Sequence, residues 1–428
     1  MVLGSNAREW RDHDPCVMGS VQPSQRLTAV SHLEVGRVSL AGADVLAFLI
    51  GVAAWVEVQV VGRLYLGELL LLGCSLGLPL LFSYLDTRRE RRILLWFFGL
   101  ATLYLFGLIA TDIYRGTPFT DYTRGWARAV VYVGDFAGLL VLGYRRPVRL
   151  VLFVLGTAFS QLALTLLGVW PADWKFGYAY PVTVAVLVLL DSRKRILGFT
   201  TLLCLGLVHL LMDYRIFGAI CVVAAVAVWL KGSEVKRRVV TVALAIGAIG
   251  TFVLLYVSGV GMVGKDYDVS IRRQGSNFER LAGLLVAADA IRKSPIIGLG
   301  SWAKSDEAIE TWALLQEEWG RQATAQDLQE QVLLSPEGAA IRAHSMILQA
   351  WVEAGLVGFV FFGYSLALPL VMMFKLARAT QPGRYDSLMW FFGLWVVWAM
   401  VMSPFAGVSR LYTAMSLSLL FVFQREKI

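Results

Sequence analysis

Charge is what this chain has least of. Only 16% of its 428 residues are Asp, Glu, Lys or Arg, against roughly 25% in soluble domains. With 57% hydrophobic residues and a mean hydropathy of +0.64, that shortfall excludes an ordinary soluble fold and a disordered chain. Cysteine is nearly absent, with four in the whole sequence. Cys74, Cys204 and Cys221 fall inside apolar runs and Cys16 in a polar N-terminal stretch. None has metal-ligand spacing, and no disulfide framework is expected. His13 and His32 have no partners at metal spacing either. Residues 1–37 lack an early apolar core, so no cleavable signal peptide is expected and the first apolar run should act as an uncleaved anchor. No internal repeat is visible, unlike a carrier built from two similar halves.

What the chain does have is apolar runs. A membrane-crossing helix needs roughly 20 mostly apolar residues. About twelve such stretches are expected, at 38–58, 64–84, 93–111, 126–143, 148–169, 176–190, 196–212, 215–230, 239–260, 344–374, 387–404 and 407–424. Nearly every second connection is basic. Arg88, Arg89, Arg91 and Arg92 follow the second run, and Arg145, Arg146 and Arg149 the fourth. Arg193, Lys194 and Arg195 follow the sixth, Lys231, Lys236, Arg237 and Arg238 the eighth, Lys375, Arg378 and Arg384 the tenth, and Arg425 and Lys427 the last. Cytoplasmic loops carry the Lys/Arg excess. Both termini are therefore expected in the cytoplasm. The net charge of +8 is accounted for by this orientation and by anionic lipid rather than by nucleic acid.

The expected organisation is a cytoplasmic tail (1–37), nine spans (38–260), one large outer loop (261–343), three more spans (344–424) and a short cytoplasmic end (425–428). A second, modest outer loop is expected at 112–125. In the large loop Ser276 and Glu279 have capping-box spacing. Leu281, Leu284, Leu285, Ala288 and Ile291 then recur at helical spacing until Pro295. A Gly-rich turn, Ile297-Gly298-Leu299-Gly300, follows, and further helices are expected over 306–320 and 322–334. The loop is basic up to Lys304 and acidic beyond it, which suits either a phosphate-bearing lipid or a solvated cap.

Three outer elements stand out. Arg215 ends the tight turn Met212-Asp213-Tyr214, where an arginine can also simply snorkel. Arg280 is expected in the first turn of the loop helix, where a cation opposes the helix dipole. His344 stands where the chain enters the tenth run, with Leu348, Trp351 and Gly355 expected on its helical face. Gly355 and Gly358 allow close packing. Among the acids in apolar surroundings, Asp44, Glu68, Asp135, Asp213 and Glu353, burial alone selects none. For Glu353 an interhelical bond is the favoured reading.

The segment His344-Ser345-Met346-Ile347-Leu348-Gln349-Ala350-Trp351-Val352-Glu353-Ala354-Gly355-Leu356-Val357-Gly358-Phe359 resembles the histidine-containing segment of the O-antigen ligase/polymerase superfamily. Arg280, followed after a helix by Pro295-Ile296-Ile297-Gly298-Leu299-Gly300, resembles that family's second motif, and Arg215 its arginine near the outer face. Ser345 stands where the family commonly has asparagine, and Asp213-Tyr214 replaces small polar residues.

The resemblance implies an all-α polytopic membrane protein like the C-type glycosyltransferases, with a large helical periplasmic loop. It also implies an enzyme of the bacterial inner membrane. A glycan would pass from an undecaprenyl pyrophosphate donor to lipid A–core, without cofactor or metal. The polymerase and protein O-oligosaccharyltransferase branches remain open, as does a lipid-linked glycan carrier or flippase. Arginine forks suit a pyrophosphate leaving group, and an imidazole suits removal of the acceptor hydroxyl's proton. His344, Arg280 and Arg215 are the expected catalytic groups, with Arg342 and Arg273 as secondary phosphate or core ligands.

Overall fold

A computed structural model describes residues 42–59, 63–85, 87–190, 192–231, 267–304, 341, 343–379, 381 and 383–425, with side chains at all of these except 63, 267–279 and 424–425. The expected ninth span, the helices at 306–320 and 322–334, and Arg342 lie outside the described residues.

The chain is almost wholly helical. α1 (Gly42–Val52) leads to an antiparallel hairpin, β1 (Glu57–Gln59) with β2 (Arg63–Tyr65). α2 (Leu66–Ser75) and α3 (Leu78–Ser83) follow. α4 (Arg88–Arg115) starts at Thr87, whose hydroxyl accepts from the Glu90 amide at 3.1 Å, and stops at left-handed Gly116. α5 (Phe119–Gly143) begins just after Pro118, and α6 (Val148–Leu166) after Pro147. A π-helical turn at Trp174–Tyr178, capped by Asp173, opens α7 (Ala179–Leu189). Then come α8 (Arg195–Leu211), α9 (Arg215–Leu230), α10 (Tyr267–Lys293), α11 (Met346–Ala354), α12 (Leu356–Arg378), α13 (Asp386–Met402) and α14 (Gly407–Arg425).

Among the described residues four helices, α4, α5, α6 and α12, are long and apolar enough to cross a membrane. The apolar helices α2, α8, α9 and α13 are shorter, at 10–17 residues. α5 is the inner one, with 72% of its apolar window buried, whereas α4 buries only 28%. Leu95, Trp96, Leu103, Phe106 and Ile113 on α4 are all more than half exposed. Soluble monomers rarely show so large an apolar face; in a bilayer it is the solvated one. Inside, Phe97, Tyr104, Tyr132, Phe136, Phe361, Phe362 and Phe405 stack and tilt against one another and tie α4, α5 and α12 together.

Contacts sort the connections into two sets. In one, Asp44 pairs with Arg146 and Arg149, and Tyr144 donates to Glu90. Lys231 pairs with Asp386, and the Ser192 hydroxyl meets that of Ser387 at 2.9 Å. Apart from Asp44 at the start of α1, every residue in this set lies at a connection read as basic. In the other set, Trp126 and Ser301 both donate to Asp112, Arg128 donates to the Phe405 carbonyl, and Trp174 donates to His209. Odd and even connections meet only their own kind in these pairs, as alternating helices require.

Several boundaries differ from the sequence reading. The outer loop expected at 112–125 shrinks to the three residues between α4 and α5, because both helices run on past their apolar windows. Arg88–Arg92 belong to the first turns of α4 rather than to a loop. The second span starts from a strand and is split between α2 and α3. The tenth, expected as one helix over 344–374, breaks at Gly355 into α11 and α12.

Two buried carboxylates are paired with buried arginines, which offsets their desolvation. Arg410 makes a fork onto Glu68, with both shortest contacts at 2.7 Å. Arg128 pairs with Glu353, which bears out Glu353 as an interhelical bond. Asp135 is fully buried with no hydrogen-bond partner on either carboxylate oxygen.

Candidate functional site

The two glycine-bearing segments singled out in the sequence form one backbone unit. Leu299 donates its amide to the Val352 carbonyl at 2.7 Å and Gly300 to that of Glu353 at 3.0 Å. In return the Leu356 amide donates to Ile296 at 3.1 Å, and the Trp351 indole to the Pro295 carbonyl at 2.9 Å. The free carbonyls at the end of α11 and the first amides of α12 thus find partners in the loop after α10. So close an approach needs glycine. A Cβ on Gly355, at φ +65°, would sit 2.0 Å from the Ile296 oxygen. One on Gly298, at φ +84°, would sit 2.5 Å from the Gly355 nitrogen.

The end of α4 clamps this loop from the other side. Thr111 donates to the Ile297 carbonyl at 2.6 Å, and Arg115 to the Gly298 carbonyl and the Ser294 hydroxyl. The Asp112 carboxylate takes the Ser301 amide at 2.6 Å and the Ser301 hydroxyl at 2.7 Å. Trp302 is held at φ +54°, between the Arg124 and Arg128 guanidiniums. Thr111, Asp112, Arg115 and Arg128 were not singled out from the sequence. Their signal was weak, because polar residues at helix ends are common.

α10 packs along this unit, with Val286, Ala287 and Ala290 in one apolar cluster with Ile341, Ala343 and Val352. Arg280 lies two turns before Ala287 on the same face of the helix. It is in the middle of α10, which starts at Tyr267, so the first-turn argument for it is overturned. Ser276 and Glu279 are likewise inside the helix rather than at its start. The periodicity showed where the apolar face began, and the polar turns before it are helical too.

His344 also differs from expectation. It precedes α11 rather than joining its face, with a strained backbone at φ +44°. The Ser345 hydroxyl caps α11 by accepting from the Leu348 amide at 3.3 Å, and donates to the Met400 carbonyl at 3.2 Å. His344 is half-buried at the head of the helix, next to Ala343 in the cluster that α10 covers.

Arg215 is the first residue of α9, its Nε 3.6 Å from the Asp213 carboxylate across a turn in which Asp213 has φ +62°. Between them Tyr214 stacks on Phe217. Burial pushes the Tyr214 hydroxyl's pKa up, and the Arg280 guanidinium opposes that shift. Arg280 is therefore within electrostatic reach of the turn that carries Arg215. Arg273 lies on the backbone of α10 with no side chain described.

Arg280 of α10 thus acts on the residue preceding Arg215 of α9, and His344 follows Ala343 of the cluster that α10 helps form. Residues 178–363, a little under half of the chain, match a family described as O-antigen ligase. No curated protein and no solved structure matches the chain.

Proposed function

We propose, from the premise that the chain belongs to the O-antigen ligase superfamily, that it is a membrane glycosyltransferase. It moves a glycan from undecaprenyl pyrophosphate to lipid A–core on the periplasmic face, with both termini in the cytoplasm. What supports this reading is that Arg215 opens α9, that Arg280 acts electrostatically on the neighbouring Tyr214, and that His344 follows Ala343 of the apolar cluster that α10 helps form.

Negative charge grows on the pyrophosphate as the sugar leaves. Arg215 and Arg280 meet that charge in the ground state and more strongly in the transition state. The acceptor hydroxyl must shed its proton as it attacks the anomeric carbon, and His344 takes it as general base. The displacement is single, with no covalent enzyme intermediate. Arg273 and Arg342 serve in this reading as secondary ligands of the phosphate or the core. Ligase is favoured over polymerase because the sequence of residues 261–343 is long and partly acidic, which suits a bulky lipid-anchored acceptor.

Purified protein incubated with lipid-linked glycan and lipid A–core is expected to give a ladder of glycan-bearing product. His344→Ala should remove about 10²–10⁴-fold of the rate and leave donor binding nearly intact. Arg215→Lys and Arg280→Lys should recover part of the loss seen with alanine, since lysine lacks the fork. A folded His344→Ala variant with near-normal turnover would refute the base assignment. Product in which glycans are joined to one another, with lipid A–core unused, would identify the polymerase branch.

A further inference from the structure

A buried chain of polar contacts runs from α5 to the backbone of His344. Arg128 pairs with Glu353, the other oxygen of which accepts from Gln349 Nε2 at 2.7 Å and lies 3.4 Å from the Trp302 amide. Gln349 Oε1 in turn accepts from the Ala343 amide at 3.1 Å. Glu353 is fully buried and Gln349 and Arg128 nearly so. The chain ends one residue from His344, whose φ of +44° is a conformation that an L-residue holds only when its surroundings impose it.

We propose that Gln349 is a positioning residue for His344, and that Glu353 and Arg128 act through it. The inference rests on the reading of His344 as the base. The physical reason is directional. Gln349 must present its oxygen to Ala343, because its nitrogen is committed to the acceptor-only Glu353 carboxylate. The other Glu353 oxygen is taken by Arg128, so both carboxylate oxygens have donors. The amide is therefore fixed in one orientation, and the backbone on the N-terminal side of His344 is fixed with it. Ser345 holds the C-terminal side through the α11 cap and the Met400 carbonyl. The histidine thus stands on a backbone pinned on both flanks.

The test is a double-mutant cycle on full-length protein in lipid nanodiscs, with Gln349→Met, which keeps length and removes both hydrogen bonds, and His344→Ala. Gln349→Met alone is expected to lower turnover about tenfold, with donor affinity changed less than about twofold. On the His344→Ala background, with residual turnover followed over long incubation, it should cost nothing further. An equal loss on both backgrounds would show a merely structural role and overturn the proposal, as would unchanged turnover in Gln349→Met. Near-normal turnover in His344→Ala would instead sink the base assignment itself, which separates the two failures. Where Gln349→Met does not fold, Gln349→Asn, one methylene too short to reach both partners, is judged by the same cycle.

Discussion

Replacing Gly355 with alanine should damage this protein more than any other single methyl group added near the site. The residue sits at φ +65° and ψ −149°, a region that only glycine enters without strain of about 1–3 kcal/mol. The new Cβ would also lie 2.0 Å from the Ile296 oxygen and 2.4 Å from its carbon. Neither neighbour can yield, because both are backbone in a segment held by Thr111, Arg115, the carbonyls of Val352 and Glu353 in α11 and the Leu356 amide of α12. Overpacking of this kind adds a further 1–3 kcal/mol or so. A destabilisation of roughly 2–6 kcal/mol is expected, read as a lowered thermal midpoint in detergent, with activity lost in parallel. Gly363→Ala, in the interior of α12 with nothing within 4 Å of its new Cβ, is the control. Helix propensity alone makes it neutral or stabilising by up to about 1 kcal/mol. If Gly355→Ala melts with the wild type, the interlocking of the two glycine segments is not what holds the site together.

Glu68→Gln should cost about 3–5 kcal/mol by stranding Arg410, while the double change Glu68→Met with Arg410→Met should recover most of it; midpoints of thermal unfolding decide. Activity should survive EDTA, and loss restored by a divalent ion would mean that the pyrophosphate charge is met by groups other than Arg215 and Arg280. An impermeant thiol reagent applied from outside should label Gln326→Cys and spare Gly232→Cys, and the reverse result would invert the orientation.

Much of the fold was readable because apolar runs and arginine placement are long-range signals that survive loss of detail. The contacts of Asp44 with Arg146, and of Lys231 with Asp386, fall between connections the charge pattern had already grouped. Boundaries were less readable for a definite reason. Hydropathy marks where lipid begins, whereas helices run on into polar residues, as α4 does through Asp112 and Arg115 and α5 from Phe119. The break at Gly355 was hidden because a glycine inside an apolar run serves equally for close packing, as Gly358 does against the Ala350 oxygen, or for a sharp turn. Only the partner strand of backbone at Ile296, far off in sequence, tells the two apart.

That distinction divides the motif residues by role. Gly298, Gly355 and Glu353 are consumed in construction: the glycines let two backbones touch, and Glu353 pairs with Arg128. The same logic accounts for Ser345 in place of asparagine. Serine and asparagine are both strong N-cap residues, and Ser345 does cap α11, so the helix start is preserved while the side chain changes. The construction leaves His344 strained at the head of α11 and brings Arg280 within reach of the turn that carries Arg215. A site of this kind separates its scaffold from its chemistry. The positions that tolerate no added atom are those that join segments, and the positions that carry the proposed reaction are the ones the joined segments hold up.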